Sequence, residues 1–451
     1  MTAYDFMIIG AGPAGYTAAI KAAHLHQSVL LCEEDLVGGT CLNVGCIPTK
    51  ALIHASQYVE SITEAEGFGV HLSGTYEPSA LQAYKDETVL KLRTGVETLI
   101  KANKIELVRG HAKITAAHHI QVNDTDYEGT HILIATGSKP AIPPIEGVNE
   151  AGILTSSDLL NPNDHPFNHL CIIGGGVIGC EFANLYANLG KRVTIVEAKP
   201  HILPEMDAEI SQNLSMLLKR RKVSILTGAG VTKLEPGKVW IGEKCVECDA
   251  ILMAVGRRSN AEGLFDGDLI EMNRSCIKVD SSFRTNLEEV YACGDCVQGI
   301  QLAHYAEACG EWIVETAVNG TSHIHLEAVP ACVYLNDEIA CVGMTEAQAK
   351  EQGITYRIGK YSMLGNSRTV IKKGNRGFVK VLSGEDGTVL GCAMMCSRAS
   401  DMIMPFVDTV AHRRNLKELS ELIYPHPSFC EGIKEALEDT DKDAIHVIYR
   451  N

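Results

Sequence analysis

Two cysteines, Cys41 and Cys46, lie five positions apart in the glycine-rich stretch Gly38–Lys50. On an ideal α-helix, Cα atoms five residues apart are separated by about 8–9 Å, whereas a disulfide needs about 7 Å or less. A bond between them therefore requires a distorted backbone, which Gly45 permits at low steric cost. Closing so short a loop stabilises the folded chain by only about 2 kcal/mol, so the bond would serve better as an electron acceptor than as a cross-link. Two unpaired buried thiols are the alternative in a chain with 16 cysteines.

A dinucleotide-binding unit precedes this stretch. An apolar strand at residues 4–9 leads into Gly10, Gly12 and Gly15, a helix rich in alanine follows, and the next strand ends at Glu33. The first glycine permits a tight turn, the second lets the backbone approach a pyrophosphate, and the third lets helix pack on strand. The acid can accept hydrogen bonds from an adenosine ribose.

The same pattern occurs a second time. The strand at 169–173 leads into Gly174, Gly176 and Gly179, and the strand after the helix ends at Glu197. A tight strand-to-helix turn without a ligand is the alternative interpretation of these glycines. Two such sites suit one cofactor that stays bound and another that exchanges. Glu197 would repel a 2′-phosphate and so favours NAD over NADP, a preference that the nearby Lys199 weakens slightly.

Composition excludes several function classes. The chain has 451 residues, 45% of them hydrophobic and 21% charged, which is typical of a globular protein of two or three domains. Its net charge of −16 disfavours binding to nucleic acid or anionic lipid, and no membrane span or signal segment is predicted. The scattered cysteines suit a reducing cytoplasm. Cys293 and Cys296 form a C-x-x-C pair without a partner pair, so no metal site is predicted.

The last feature with chemical potential is the pair His426 and Glu431, which flank Pro427. If Pro427 begins the following helix, Glu431 lies one turn on and can face His426. A carboxylate on one imidazole nitrogen would leave the other free to move protons. On local sequence alone, however, a surface histidine before a helix is the favoured interpretation, with Glu431 merely complementing the helix dipole.

Taken in order, these motifs resemble those of the pyridine nucleotide-disulfide oxidoreductases of the glutathione reductase class, most closely the dihydrolipoamide dehydrogenase family. The resemblance runs from end to end and is carried by Gly10–Gly15 with Glu33, Gly38–Lys50, Ala135–Gly137, Gly174–Glu181 with Glu197, Ala254–Arg257, Gly294–Asp295, Leu302–His304, and His426–Pro427 with Glu431.

The fold that the resemblance implies is α/β, with two Rossmann-like dinucleotide-binding domains, for FAD and NAD, and a C-terminal α+β dimerisation domain. The implied segments are 1–140 and 258–322 for the FAD-binding domain, 141–257 for the NAD-binding domain and 323–451 for the dimerisation domain. Pro140, Pro143 and Pro144 mark the first boundary as a stiff connector.

The resemblance also implies a role for each site residue. Cys41 would exchange with a dithiol substrate, Cys46 would lie against the flavin, and His426 with Glu431 would come from the partner subunit of a homodimer. The implied cofactor-binding residues are Gly10, Gly12, Gly15, Glu33, Thr40, Lys50, Thr136, Gly137, Asp295 and Ala303 for FAD, and Gly174, Gly176, Ile178, Gly179, Glu181, Glu197 and Gly256 for NAD or the flavin side that faces it.

The implied activity is NAD-dependent oxidation of dihydrolipoyl groups, carried by a protein of a 2-oxoacid dehydrogenase, acetoin dehydrogenase or glycine cleavage complex. An NAD(P)H-dependent disulfide reductase of the glutathione reductase type is the second hypothesis, and Glu197 and Ile178 argue against it. A binding subunit with an idle redox centre is the third. The intact set of Cys41, Cys46, His426 and Glu431 argues against that hypothesis.

Overall fold

The computed structural model describes residues 3–161 and 167–449, so residues 1–2, 162–166 and 450–451 of the predicted domain segments lie outside it. The described chain contains both strands and helices, with two long runs of consecutive strands. The strands β1 to β23 are Ala3–Ile9, Val29–Glu33, Glu106–Arg109, Ala112–Ala116, His119–Val122, Thr125–Ile134, Ser138–Pro140, His169–Ile173, Arg192–Val196, Ser224–Leu226, Lys233–Glu235, Lys238–Ile241, Lys244–Glu247, Ala250–Met253, Arg257–Ser259, Met272–Asn273, Cys276–Ile277, Val290–Ala292, Ala331–Val333, Glu338–Gly343, Tyr356–Ser362, Phe378–Gly384 and Val389–Cys396. The helices α1 to α14 are Pro13–His24, Gly39–Val44, Cys46–Glu64, Pro78–Ala102, Ser156–Leu160, Val177–Asn188, Ala208–Arg220, Ala303–Asn319, Glu346–Glu351, Ser367–Ile371, Ala399–Met402, Met404–Ala411, Lys417–Ser420 and Glu431–Asp439.

The first sheet belongs to the unit that carries the first glycine fingerprint. Its strands follow the order β3-β2-β1-β6-β5-β4, and β18 pairs with β6 on a separate branch. Strand β1 is parallel to both β2 and β6, so the ends of these strands form one edge that faces the start of α1. Pro13 occupies the first turn of α1, where its missing N–H costs nothing, and the buried alanine face of this helix packs against α8.

The second sheet repeats this arrangement on a smaller scale. Its four parallel strands follow the order β10-β9-β8-β14, and a three-stranded antiparallel sheet of β11, β12 and β13 stands beside it. Every residue of β8 is buried, which explains why only apolar residues follow His169 in this strand. Two short strands lie where the chain passes between the two units. β7, on the way into the second unit, pairs antiparallel with β15, on the way back to the first.

The C-terminal part has a different architecture. An antiparallel sheet in the order β19-β20-β23-β22-β21 packs against helices α11, α12 and α14. Large apolar side chains nevertheless remain exposed in this part of the chain: Leu364, Val370, Ile371, Leu422, Ile423, Ile445 and Ile448. The mixed architecture confirms the predicted α/β fold class. No helix in the described ranges combines the length and the apolar character needed to cross a membrane.

The sequence pattern predicts one helix over about residues 398–413 and another over about 429–439, and the structure corrects the first. The helix expected over residues 398–413 is broken at Ile403 into α11 and α12, with Pro405 in the first turn of the second helix. Pro405 lacks the N–H that would continue the helix. The last helix begins at Glu431 rather than at Pro427. The Glu431 carboxylate accepts the backbone N–H of Ser428 at 2.8 Å, which holds the residues between them in a turn.

Candidate active site

A cavity of about 1630 Å³ brings together most of the residues singled out from the sequence. Both nucleotide fingerprints and both cysteines of the Gly38–Lys50 stretch open into it. The residues predicted from the sequence that line it are Gly10, Gly12, Glu33, Thr40, Cys41, Cys46, Lys50, Thr136, Gly137, Gly174, Gly176, Ile178, Glu181, Glu197, Gly256, Asp295 and Ala303. Gly15, Gly179, His426 and Glu431 do not line it.

The first fingerprint is a tight turn held by its acid. Gly10 has a φ of +100°, and a Cβ there would lie 2.4 Å from the carbonyl oxygen of Ala135. A Cβ on Gly15 would lie 1.8 Å from the carbonyl oxygen of Gly10, so this glycine lets α1 approach β1. The Glu33 carboxylate accepts the N–H of Ala11 at 2.7 Å, and burial raises the pKa of this acid.

The second fingerprint repeats these contacts. Gly174 has a φ of +109°, and a Cβ there would lie 2.3 Å from the carbonyl oxygen of Ala254. A Cβ on Gly179 would lie 2.0 Å from the carbonyl oxygen of Gly174. The Glu197 carboxylate accepts the N–H of Gly175 at 2.6 Å. Each acid thus ties the strand end that bears it to the turn that would receive a pyrophosphate.

The thiol pair lies at a break between two helices. Helix α2 ends before Gly45 and α3 begins after it, with Gly45 at φ −138° and ψ −115°. The break requires glycine, because a Cβ at this position would lie 2.7 Å from the carbonyl oxygen of Thr40. Cys41 and Cys46 are free thiols that hydrogen-bond to each other. The hydrogen bond from Cys41, assisted by the Lys50 cation, lowers the pKa of Cys46 to about 7, although burial opposes the shift. The same contact raises the pKa of Cys41, so the pair holds its first negative charge on Cys46.

An ion pair joins the two nucleotide-binding units inside the cavity. Lys50 Nζ donates to both carboxylate oxygens of Glu181, at 2.7 and 2.9 Å. Lys50 belongs to α3 and Glu181 to α6, and the Glu181 side chain is only 3% exposed. A nearly buried carboxylate needs such a partner, so the pair fixes how the two units meet beside the thiols.

Several polar groups fit a bound dinucleotide. Thr136 Oγ1 is buried and has no hydrogen-bond partner among the residues that the structure describes, so it can donate to a ligand. Asp295 accepts a hydrogen bond from the Ser138 hydroxyl at 2.5 Å, and Arg257 lies 3.8 Å from the same carboxylate. No group of three or more histidine, cysteine, aspartate or glutamate side chains in the described ranges is arranged to hold a metal ion.

His426 and Glu431 form a pair at the surface. His426 Nδ1 lies 2.7 Å from Glu431 Oε1, and the histidine side chain is 72% exposed. Burial opposes ionisation of Glu431, but hydrogen bonds from Ser428 and His426 keep the pKa of the carboxyl below its ordinary value. The sequence predicted that one helical turn would bring Glu431 next to His426. In the structure the two residues meet across the start of α14 instead.

Sequence analysis missed Glu307 and Tyr334, which line the cavity, and Tyr16, which contacts Glu307. Tyr16 donates a hydrogen bond to Glu307 at 3.2 Å, and the negative charge of Glu307 contributes to the raised pKa of Cys41. Tyr334 places its ring 4.9 Å from Lys50 Nζ. Glu307 could have been predicted as a cavity residue, because it lies one helical turn after the Leu302–His304 motif. The local sequence contains no such sign for Tyr334.

Comparison with known proteins covers the whole chain. The pyridine nucleotide-disulphide oxidoreductase family model matches residues 4–310, and the dimerisation-domain model of the same family matches residues 329–437. A dihydrolipoyl dehydrogenase of Thermus scotoductus is 35% identical over 100% of both chains. A dihydrolipoyl dehydrogenase of Geobacillus stearothermophilus is 36% identical over 98% of this chain and 97% of the relative.

Solved structures agree with these matches. The HOCl-induced flavoprotein disulfide reductase RclA from Escherichia coli superimposes with a TM-score of 0.86 at 28% identity, covering 96% of this chain and 99% of that one. LpdA from Mycobacterium tuberculosis gives a TM-score of 0.87 at 27% identity, with the same coverage of 96% and 99%.

Proposed function

Because the chain belongs to the pyridine nucleotide-disulphide oxidoreductase family, we propose that it is a dihydrolipoyl dehydrogenase that transfers electrons from protein-bound dihydrolipoyl groups to NAD+. The enzymes of this family are flavoproteins that use FAD and NAD(H), and the C-terminal dimerisation domain makes the protein a homodimer. The observation that carries the proposal is the thiol pair, which opens into the cavity that both nucleotide fingerprints share.

The first fingerprint is the proposed seat of FAD and the second that of NAD. Glu33 and Glu197 would each accept ribose hydroxyls, while Thr136 and Asp295 would hold the flavin cofactor beside the thiols. Ile178 would face the nicotinamide and provide an apolar wall. When bound, FAD supplies a two-electron carrier between the thiol pair and NAD+.

The proposed thiol chemistry begins with the disulfide form of the pair. A base removes the proton from one dihydrolipoyl thiol, and the resulting thiolate attacks the Cys41 sulfur. The Cys41–Cys46 bond breaks, and Cys46 leaves as a thiolate that the Lys50 cation stabilises. The second substrate thiol then displaces Cys41, so that the lipoyl group becomes a disulfide and the enzyme pair becomes a dithiol. Atoms and electrons balance because one disulfide is exchanged for another.

We propose that the base is His426 of the partner subunit. The histidine of the same chain does not line its own cavity, and its side chain is largely exposed beside exposed apolar side chains such as Leu422 and Ile423. The Glu431 carboxylate lies against Nδ1 of His426, which leaves Nε2 to take the substrate proton.

The finer partners and the compartment are also proposals. The electron donor would be a lipoyl-bearing protein of a 2-oxoacid dehydrogenase, acetoin dehydrogenase or glycine cleavage complex. A reducing cytoplasm suits the free state of all 16 cysteines.

The decisive experiment compares two reactions of the purified yellow protein. We expect rapid reduction of NAD+ by dihydrolipoamide and little oxidation of NADPH by glutathione disulfide. Preference for NADPH and glutathione disulfide would replace the proposal with the second hypothesis, a disulfide reductase. Failure of both reactions in a protein that retains flavin would favour a subunit with an idle redox centre.

A further inference from the structure

Tyr334, which belongs to the C-terminal part of the chain, contacts the Lys50–Glu181 ion pair. It follows strand β19, and the Lys50 ammonium lies 4.9 Å from the centroid of its ring. A cation within about 6 Å of an aromatic centroid is attracted by the negative face of the ring. The backbone N–H of Tyr334 also donates to Glu181 Oε1 at 3.0 Å. One residue therefore contacts both members of the pair.

Lys50 interacts both with this ring and with the thiol pair. Cys46 and Lys50 are four residues apart in α3 and so lie on the same helix face. The lysine charge favours the thiolate form of Cys46, while Glu181 draws the ammonium away from the sulfur. Where the ammonium rests between these two negative groups decides how strongly it stabilises the thiolate, because their attraction depends on distance.

The position of Tyr334 is fixed by an asparagine two residues further on. Asn336 Oδ1 accepts hydrogen bonds from Asn184 at 3.0 Å and from Asn188 at 2.9 Å, both on α6. Asn336 Nδ2 donates to Glu60 on α3. The segment that bears Tyr334 is thus tied to the same two helices that carry Glu181 and Lys50.

The ring itself remains uncharged. Burial raises the pKa of Tyr334 to about 12, with smaller contributions from neighbouring acids and thiols. A neutral ring attracts the ammonium through its face without supplying a competing full charge.

We propose that Tyr334 is a positioning residue of the thiol site: its ring holds the Lys50 ammonium where it stabilises the Cys46 thiolate. The consequence for turnover rests on the proposed function, whereas the effect on the thiol does not. Removing the ring should let the ammonium, still bonded to Glu181, move away from the thiols, so Cys46 should lose its proton less readily.

The test measures thiol ionisation directly. The reduced protein is alkylated with iodoacetamide across a pH series, and modification of Cys41 and Cys46 is followed separately by mass spectrometry. In Tyr334→Ala the apparent pKa of Cys46 should rise by about one unit, a roughly tenfold lower thiolate fraction below that pKa. Tyr334→Phe keeps the ring and should retain the wild-type pKa. Tyr58→Ala removes an exposed tyrosine from α3 and serves as the control.

Each outcome decides the matter. An unchanged Cys46 pKa in Tyr334→Ala would overturn the proposal, as would equal shifts in Tyr334→Ala and Tyr334→Phe, because the ring would then not be the cause. If the alanine variant does not fold, Tyr334→Leu fills the space without a ring and should show the same shift. If the wild-type protein does not oxidise dihydrolipoamide but Tyr334→Ala still shifts the pKa of Cys46, the proposed function is refuted and the role of Tyr334 stands.

Discussion

The two nucleotide fingerprints have almost the same internal geometry and different surroundings. Gly10 and Gly174 have φ values of +100° and +109°, and the acids Glu33 and Glu197 accept turn N–H groups at 2.7 and 2.6 Å. This agreement follows from chemistry, since a strand that turns sharply into a helix needs a left-handed glycine and a partner for its first free N–H groups.

The difference lies in what covers the middle glycine of each turn. The segment that bears the thiols crosses the first turn so closely that a Cβ on Gly39 would lie 2.7 Å from the Cα of Gly12. A Cβ on Gly12 would itself lie 3.9 Å from the Cα of Gly39, whereas a Cβ on Gly176 would meet, apart from its chain neighbours, no atom of the described residues within 4 Å. Two turns of the same geometry can therefore hold either a permanently bound ligand or an exchanging one, depending on whether another segment packs over the turn.

The most severe test of this comparison introduces a Cβ into each turn. Both Gly10→Ala and Gly174→Ala add a methyl group where a carbonyl oxygen lies 2.4 or 2.3 Å away, so each turn must distort. We expect Gly10→Ala to lose FAD and to unfold with a free energy lower by about 3 kcal/mol or more. Gly174→Ala should keep FAD and lose reduction by NADH. Visible absorption, thermal unfolding and NADH titration would measure these effects.

Gly190→Ala is the matched control for that pair. Gly190 also has a positive φ, +75°, but a Cβ there meets no atom of the described chain within 4 Å apart from its own neighbours. It should lower stability by only about 1 kcal/mol and leave both cofactors in place. Loss of flavin from Gly174→Ala would contradict the independence of the two sites.

His426→Gln should separate the thiol reaction from the nucleotide reaction. Glutamine cannot take the substrate proton, so oxidation of dihydrolipoamide should fall by about 10²–10⁴-fold. Neither fingerprint contains this residue, so reduction of an artificial acceptor by NADH should be unchanged. Steady-state assays of both reactions would measure the contrast, with the exposed His412→Gln as control. Equal losses in both reactions would refute the assignment of His426 as the base.

Glu197→Gln sharpens the comparison between the two acids. Glutamine can still accept the N–H of Gly175 but binds a ribose hydroxyl less strongly than a carboxylate does. The KM for NAD+ should rise about tenfold with flavin content unchanged. Glu33→Gln should instead weaken retention of flavin. Steady-state kinetics and flavin release on dialysis would test whether the two acids bind different cofactors. Identical effects of the two substitutions would disprove this division.

A further expected effect is a pH dependence of the reduced protein. The pKa of Cys46 falls from its ordinary value of 9.0 to about 7 on folding. A depressed pKa stabilises the fold above the unfolded value, and this stability is lost as the pH falls through the folded value. The unfolding free energy should therefore rise between pH 7 and 9, by about 2 kcal/mol, relative to Cys46→Ser. Denaturant titrations at several pH values would measure it, and parallel curves for the two proteins would count against a Cys46 thiolate.

Local signals made much of this architecture predictable. A glycine that must adopt a positive φ, as at Gly10 and Gly174, leaves a mark in the sequence because no other residue fits. The start of the last helix could not be fixed from the sequence, because Pro427 favours a first turn whereas the contact of the Glu431 carboxylate with Ser428 arises only in the folded chain. The ring of Tyr334 could not be predicted, since it meets Lys50 from nearly 300 residues away in the sequence.

The ribbon formed by β7 and β15 bears on how such a protein could be built from parts. Lys139 pairs with Arg258, so the chain enters and leaves the unit that carries the second fingerprint at neighbouring points. Paired residues of antiparallel strands lie about 5 Å apart, a gap that a tight turn can close. The unit that carries the second fingerprint could therefore be removed or replaced at two neighbouring positions of the chain. Such an exchange would interrupt neither the first sheet nor the segment that bears the thiols.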